Sequence, residues 1–201
     1  GLDFSRALRS LMRQDPDIIL VGETRDKETA QTAMEAALTG HMVFTTLHAN
    51  DTATAITRLN EMGIPPYLVG SSVIGVMAQR LVRKVCTACA KTKKVLTDDS
   101  LASSYNLEKI KVANINDSLN DSVHVCQVCN GTGYKGRIGL YEVLKINDSI
   151  RELIMKSSTA DVIREASVKN GLKTLLDYGM ELVKDQLTTI EEVERVCILE
   201  D

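Results

Sequence analysis

Ile18-Ile19-Leu20-Val21-Gly22-Glu23-Thr24-Arg25-Asp26 is the stretch of this 201-residue chain on which the fold turns. Four consecutive aliphatic residues are too short a run for a helix. They lack the polar alternation of a half-solvated strand and suit a parallel strand buried on both faces. Upstream, Leu2–Gln14 carries Leu2, Ala7, Leu8, Leu11 and Met12 at helical spacing, and Asp15-Pro16 ends the helix because proline disfavours the α region at the residue before it. Downstream, Lys27–Thr39 reads as a helix closed by Gly40, and Met42-Val43-Phe44 as a second buried strand running into Thr45-Thr46-Leu47. Thr52–Met62 is helical up to Gly63. After Pro65-Pro66, residues 67–84 are expected to form one longer helix with small residues on its face. Strand and helix alternate, so the fold class is α/β with a parallel sheet.

Composition narrows the function. Charged residues are 25% and apolar residues 44%, the balance of a globular chain with a real core. Lys plus Arg is 24 against 27 Asp plus Glu, for a net charge of −3, and aromatics are 3% with no Trp. Neither an electrostatic nor a base-stacking route to nucleic acid is evident, so nucleic acid is not an expected partner. No apolar run approaches the ~20 residues of a membrane span. The chain begins at Gly1 without a signal segment and enters a helical pattern at once, which is the expectation for part of a longer protein.

Four of the five cysteines form two C-x2-C pairs, Cys86/Cys89 and Cys126/Cys129, with residues 90–125 between them. Two residues between cysteines let a tight turn aim both sulfurs at one point, and two such knuckles make a four-thiolate site for Zn²⁺. Filled by protein ligands, the site is structural rather than catalytic. Two redox pairs or unrelated thiols are the alternative, and structural disulfides do not suit a chain with no mark of secretion. Cys197, on an apolar helical face with Val193 and Val196, reads as a core residue. Around the knuckles, residues 91–123 form a polar insert, and Gly131, Gly133 and Gly136 punctuate its exit. Arg137–Ile146 then reads as a strand, followed by helices at Ser149–Lys156, Thr159–Asn170, Leu172–Asp185 and Thr189–Leu199.

Ligands of open α/β sheets gather at the carboxyl ends of the strands. There Glu23 follows the first strand, and a carboxylate in that place can orient a water or hold a Mg²⁺ shell. His48 follows the second strand and can donate to phosphate. Taken singly, a strand-end Glu is more often a cap or ion-pair partner and a loop His more often a surface residue; the two together on adjacent strands shift the balance toward a site without deciding it.

The run Leu8–Asp26, with its Asp15-Pro16-Asp17 and Val21-Gly22-Glu23-Thr24-Arg25-Asp26, resembles the Walker B region of the type II secretion and type IV pilus ATPases. Thr39-Gly40-His41, Thr45-Thr46-Leu47-His48-Ala49-Asn50-Asp51 and Gln79-Arg80-Leu81-Val82-Arg83 resemble that family's later segments. The paired cysteines with Gly131-Thr132-Gly133-Tyr134-Lys135-Gly136-Arg137 resemble the tetracysteine module of its secretion and pilus-extension branches. The resemblance implies a partial RecA-like ATPase core over 1–84, a zinc module over 85–136, and a strand plus helical subdomain over 137–201. It places Glu23 as the Walker B glutamate, His48 near the γ-phosphate, and Arg80 near the nucleotide. Cys86, Cys89, Cys126 and Cys129 take the places of the zinc ligands. It also implies a homo-hexamer using ATP and Mg²⁺. The hexamer would sit in the cytoplasm on the inner face of the bacterial inner membrane, with a platform protein and cytoplasmic assembly proteins as partners. Arg9 and Arg13 are either subunit-interface residues or surface charges. No G-x-x-x-x-G-K-[ST] phosphate cradle occurs in the chain, so ATP hydrolysis is expected of the parent and not of these residues alone. The competing reading is a non-catalytic, zinc-stabilised adaptor that only binds partner proteins; an intact Glu23 and His48 argue against it.

Overall fold

The computed structural model describes residues 4–95, 100–114 and 125–197. In chain order the elements are α1 (Phe4–Met12), β1 (Ile18–Val21), α2 (Lys27–Leu38), β2 (Met42–Thr45), α3 (Thr52–Glu61), α4 (Pro66–Ser72) and β3 (Gly75–Val85). Then come β4 (Lys91–Lys94), α5 (Ser100–Ser104), β5 (Lys109–Val112), β6 (Tyr134–Lys145), α6 (Asp148–Met155), α7 (Ala160–Lys169), α8 (Leu175–Lys184) and α9 (Ile190–Cys197). The expected helix limits at Leu2 and Leu199, and residues 96–99 and 115–123 of the insert, lie outside the described residues. Two compact units divide the chain: Gly1–Ala78 with Glu142–Leu172, and Gln79–Tyr141 with Lys173–Asp201.

In the first unit β1 and β2 pair in parallel, in register from Ile18 opposite Met42 to Val21 opposite Thr45. Their inward residues Ile19 and Val21 are buried with Leu8, Ala33 and Ala36 from the two helices, and Val43 packs against the cluster. The opposite face departs from the sequence reading of strands buried on both sides. Ile18, Leu20, Met42 and Phe44 are exposed, Leu20 at 76%, because α1 and α2 pack on the other face of this small sheet. A second core joins α3, α4, α6 and α7 through Ile56, Leu59, Leu68, Val69, Ile150, Ile154 and Ile163. Side-chain caps fix three helix starts: Asp26, Asp51 and Asn147 accept from the N–H groups of Thr29, Thr54 and Ile150.

The expected helix over 67–84 is corrected. It ends at Ser72, and from Gly75 to Val85 the chain is strand, paired with β6. Ile74, Val76, Leu81, Val82 and Val85 carry the β-branched and aliphatic character of a strand, and the small residues Gly70, Ser71 and Ser72 belong to the short helix before it. The polar insert is likewise more than loop. β4 and β5 pair antiparallel, Lys91 opposite Val112 and Lys94 opposite Lys109. Ala102, Leu107 and Ile110 pack into the core of the second unit with Met180, Val183, Ile190 and Val193, and Cys197 lies against that core as expected.

Glu192, 1% exposed, organises the second unit electrostatically. Its carboxylate takes the Arg83 guanidinium at 2.5 Å, the Arg83 backbone N–H at 2.9 Å and two Arg195 nitrogens at 3.0 and 2.9 Å. Arg83 in turn lies over the Tyr134 ring, 4.1 Å from its centroid. Burial opposes ionisation, but Arg195 and Arg83 overcome it and bring the Glu192 carboxyl down to about 2. A carboxyl lowered on folding contributes stability above its unfolded pKa near 4.5, and that stability is lost as pH falls through about 2. Glu192→Gln is therefore expected to remove roughly 3 kcal/mol at neutral pH. It should also flatten the stability–pH curve between about 4.5 and 2. Denaturant titrations of both proteins across that range check it; superposable curves would show that Glu192 contributes nothing through its charge.

Candidate functional site

Side chain and backbone together bind the two strand ends. Thr24 N–H donates to the Thr46 carbonyl at 3.0 Å, the Thr24 and Thr45 hydroxyls meet at 2.8 Å, and the Thr46 hydroxyl donates to the Gly22 carbonyl at 2.7 Å. Glu23 sits in the short link between β1 and the Asp26 cap of α2; His48 sits in the link between β2 and the Asp51 cap of α3. The links lie side by side, and His48 Nε2 faces Glu23 Oε1 as an ion-pair contact. Glu23 Oε2 takes Arg25 Nε at 2.6 Å. Arg25 foremost, and His48 after it, hold the Glu23 carboxyl below its ordinary value against the opposing effect of burial. Glu23 is thus a fixed negative charge near neutral pH. Its Oε1 is shielded from solvent yet accepts no hydrogen bond of good geometry. A Cβ at Gly22 would meet nothing within 4 Å, so the backbone just before Glu23 borders open space. His48, at 85% exposure, presents its ring to whatever approaches.

The four cysteines of the two pairs converge in the second unit. Their Sγ atoms all lie within 4.8 Å of one another, with Cys86 to Cys126 at 3.9 Å and Cys89 to Cys129 at 3.6 Å. A tetrahedral Zn–S₄ site with bonds of ~2.3 Å has sulfurs ~3.8 Å apart, so the donor set fits a metal ion of that size. Cys86 N–H bonds to the Gly133 carbonyl at 2.9 Å, which joins one knuckle to the glycine-rich exit of the other. Burial and the facing thiols push Cys89 up to about 12. Cys129, though burial opposes it, is brought down to about 7 by the Gly133 N–H and its neighbours. Cys129 ionises readily and Cys89 resists, the behaviour of clustered thiols that need a cation to become thiolates together.

Arg80 lies on β3 in the second unit, where its Nη1 donates to the Gln79 carbonyl at 3.0 Å. Arg9 pairs with Glu28 at 3.0 Å on the α1–α2 face. Sequence reading passed over Arg25. It stands two residues from Glu23 in an extended link, the spacing that puts side chains on one side.

Residues 1–195 match the type II/IV secretion system protein family. The chain belongs to that family. Among its relatives is the type IV pilus assembly ATPase PilB of Thermus thermophilus, 46% identical over 193 residues, which cover 96% of this chain and 21% of that one. The type II secretion system ATPase E of Vibrio cholerae is 40% identical over 195 residues, 97% of this chain and 37% of that one. Among solved structures, the pilus retraction motor PilT with bound ADP superposes with a TM-score of 0.65 at 26% identity, covering 96% of this chain and 43% of that one. This secretion-family chain thus spans a fifth to somewhat over a third of the curated relatives, and shares the α/β fold of the motor proteins over nearly all its own length.

Proposed function

We propose that the chain is the C-terminal portion of a hexameric ATPase that couples ATP hydrolysis to type IV pilus assembly or type II protein secretion. The observation that carries this reading is the juxtaposition of Glu23 and His48 at the ends of two adjacent parallel strands, in a family whose curated relatives include pilus assembly and secretion ATPases. In this reading Glu23 orients the attacking water and shares in holding hydrated Mg²⁺; a carboxyl held below its ordinary value is a weak proton acceptor, so positioning outweighs proton abstraction. His48 donates toward the γ-phosphate, and Arg80 binds at the nucleotide. Mg²⁺ bound with ATP supplies the neutralising charge for phosphoryl transfer. The tetracysteine cluster holds a structural Zn²⁺. The serial parts 1–84, 85–136 and 137–201 serve as ATPase core, zinc module and C-terminal subdomain. The partners are further copies of the chain, the inner-membrane platform protein and cytoplasmic assembly proteins, with the motor held peripherally at the inner face of the inner membrane. No helix among the described residues is long and apolar enough to cross a membrane.

Because no glycine-rich phosphate cradle occurs in these 201 residues, the isolated chain is expected to release phosphate from ATP at the background rate, while the full-length motor turns over with Mg²⁺. Phosphate release by both, purified side by side, is the test. Turnover by the isolated chain would overturn the assignment of the phosphate cradle to another segment, and a full-length protein without turnover would overturn the motor.

A further inference from the structure

We propose that Glu142 and Arg164, both from the C-terminal part of the first unit, are positioning residues that set the His48 loop. The inference rests on the reading of His48 as a group that acts on the nucleotide.

β6 exposes its inward side through alternate residues: Leu140, Glu142 and Leu144 are all buried, and only Glu142 is charged. A carboxylate at 5% exposure between two leucines is costly unless well partnered. Its Oε1 takes the Thr52 backbone N–H at 3.0 Å and the Thr52 hydroxyl at 2.6 Å, a contact ninety residues apart in sequence. Thr52 is the first residue of α3 and is itself fully buried. Its N–H is one of the donors that a helix start leaves without an intrahelical partner, and an anion there also meets the positive end of the helix. The neighbouring residue is tied independently. Asp51 caps α3 through Thr54 N–H at 2.7 Å with Oδ1, and its Oδ2 takes Arg164 Nη2 of α7 at 2.6 Å. Arg164 is braced on Asp161 at 2.6 Å.

These ties bear on His48 because of where the loop is held. On one side of His48, Thr46 is bonded to Gly22 and Thr24, and Leu47 packs into the helical core. On the other side, Asp51 and Thr52 are held by Arg164 and Glu142. The loop from Leu47 to Thr52 is therefore pinned at both ends, and one of the two pins is made by residues that enter the unit from a distant part of the chain. His48 is mostly exposed, with Glu23 as its contact, so its ring is placed largely by the backbone that carries it. Displacing a group by about 1 Å from a reacting centre costs as much as 10²-fold in rate.

The test is a double-mutant cycle in the full-length motor, read as single-turnover hydrolysis with nucleotide titration. Glu142→Ala is expected to lower the hydrolysis rate about tenfold or more with nucleotide affinity changed less than about twofold. Glu142→Gln, which still presents an oxygen to Thr52, should recover most of the rate. Arg164→Ala should lower the rate and Arg164→Lys restore part of it. In a His48→Ala background, Glu142→Ala and Arg164→Ala should add nothing, because the side chain they position is gone. If both slow hydrolysis by the same factor with or without His48, they are structural residues and the proposal fails, while the role of His48 stands. If His48→Ala alone hydrolyses ATP at the wild-type rate, the role of His48 fails and the positioning proposal with it. Should Glu142→Ala not fold, Thr52→Val removes the 2.6 Å hydroxyl contact at nearly constant volume and enters the same cycle.

Discussion

Replacing Cys126 with serine is expected to release the Zn²⁺ proposed for the cluster and to unfold much of the second unit. The four sulfurs are within 4.8 Å of one another, and nothing but a cation makes that arrangement favourable once they ionise. Structural zinc sites of this type supply ~10–16 kcal/mol to peptides that otherwise stay unfolded. A whole unit with its own apolar core loses less. Even ~3 kcal/mol, at ~4–8 °C per kcal/mol for a unit of this size, lowers a melting midpoint by more than ~10 °C. The core formed by Leu107, Ile110, Met180, Val183 and Val193 is the part that should lose protection. Metal analysis of protein purified reduced, with thermal melts before and after chelation, checks both halves. One zinc per chain and a chelator-sensitive midpoint are expected. A metal content near zero with an unchanged midpoint in Cys126→Ser would mean that the cluster is a group of ordinary thiols.

Glu23→Gln is the substitution with the largest expected effect on activity, a loss on the order of 10²-fold or more in hydrolysis by the full-length motor. Glutamine keeps the shape of the side chain and one acceptor oxygen. It loses the negative charge, and with it the ion pairs to Arg25 and His48 that aim the carboxylate. In the role proposed for Glu23, water positioning and the hold on hydrated Mg²⁺ both depend on that charge. Nucleotide binding should survive, because these residues do not include a glycine-rich phosphate cradle, the element that dominates such binding. His48→Ala should slow hydrolysis less, since in the proposed roles His48 stabilises charge and Glu23 orients the water.

The first strand, its helix partners and the strand-end acid were legible because each rests on a local rule. Ile18–Val21 is apolar without a helical period, Asp15-Pro16 and Gly40 punctuate it, and Glu23 is the first charge after the run. The cysteine cluster was legible for the same reason, since the C-x2-C spacing is itself a turn geometry. Residues 67–84 misled because Gly70, Ser71 and Ser72 were read as one small-residue face with residues 73–84, whereas the pairing of β3 with β6 is a long-range contact that no local pattern announces. The exposed side of the sheet escaped for a related reason: an apolar run states that both faces prefer burial, and not what buries them. Glu142 carried a signal that went unread, a single acid at an inward position between Leu140 and Leu144. Its partner Thr52 could not be named from sequence, because ninety residues separate the two.

The measurement that bears most directly on the Glu23 site is single-turnover hydrolysis by the full-length Glu23→Gln motor, with nucleotide affinity titrated on the same preparation. Hydrolysis slowed on the order of 10²-fold or more at nearly unchanged affinity is the expected result if Glu23 positions the attacking water. Hydrolysis at the wild-type rate, or a loss confined to nucleotide binding, would contradict that role.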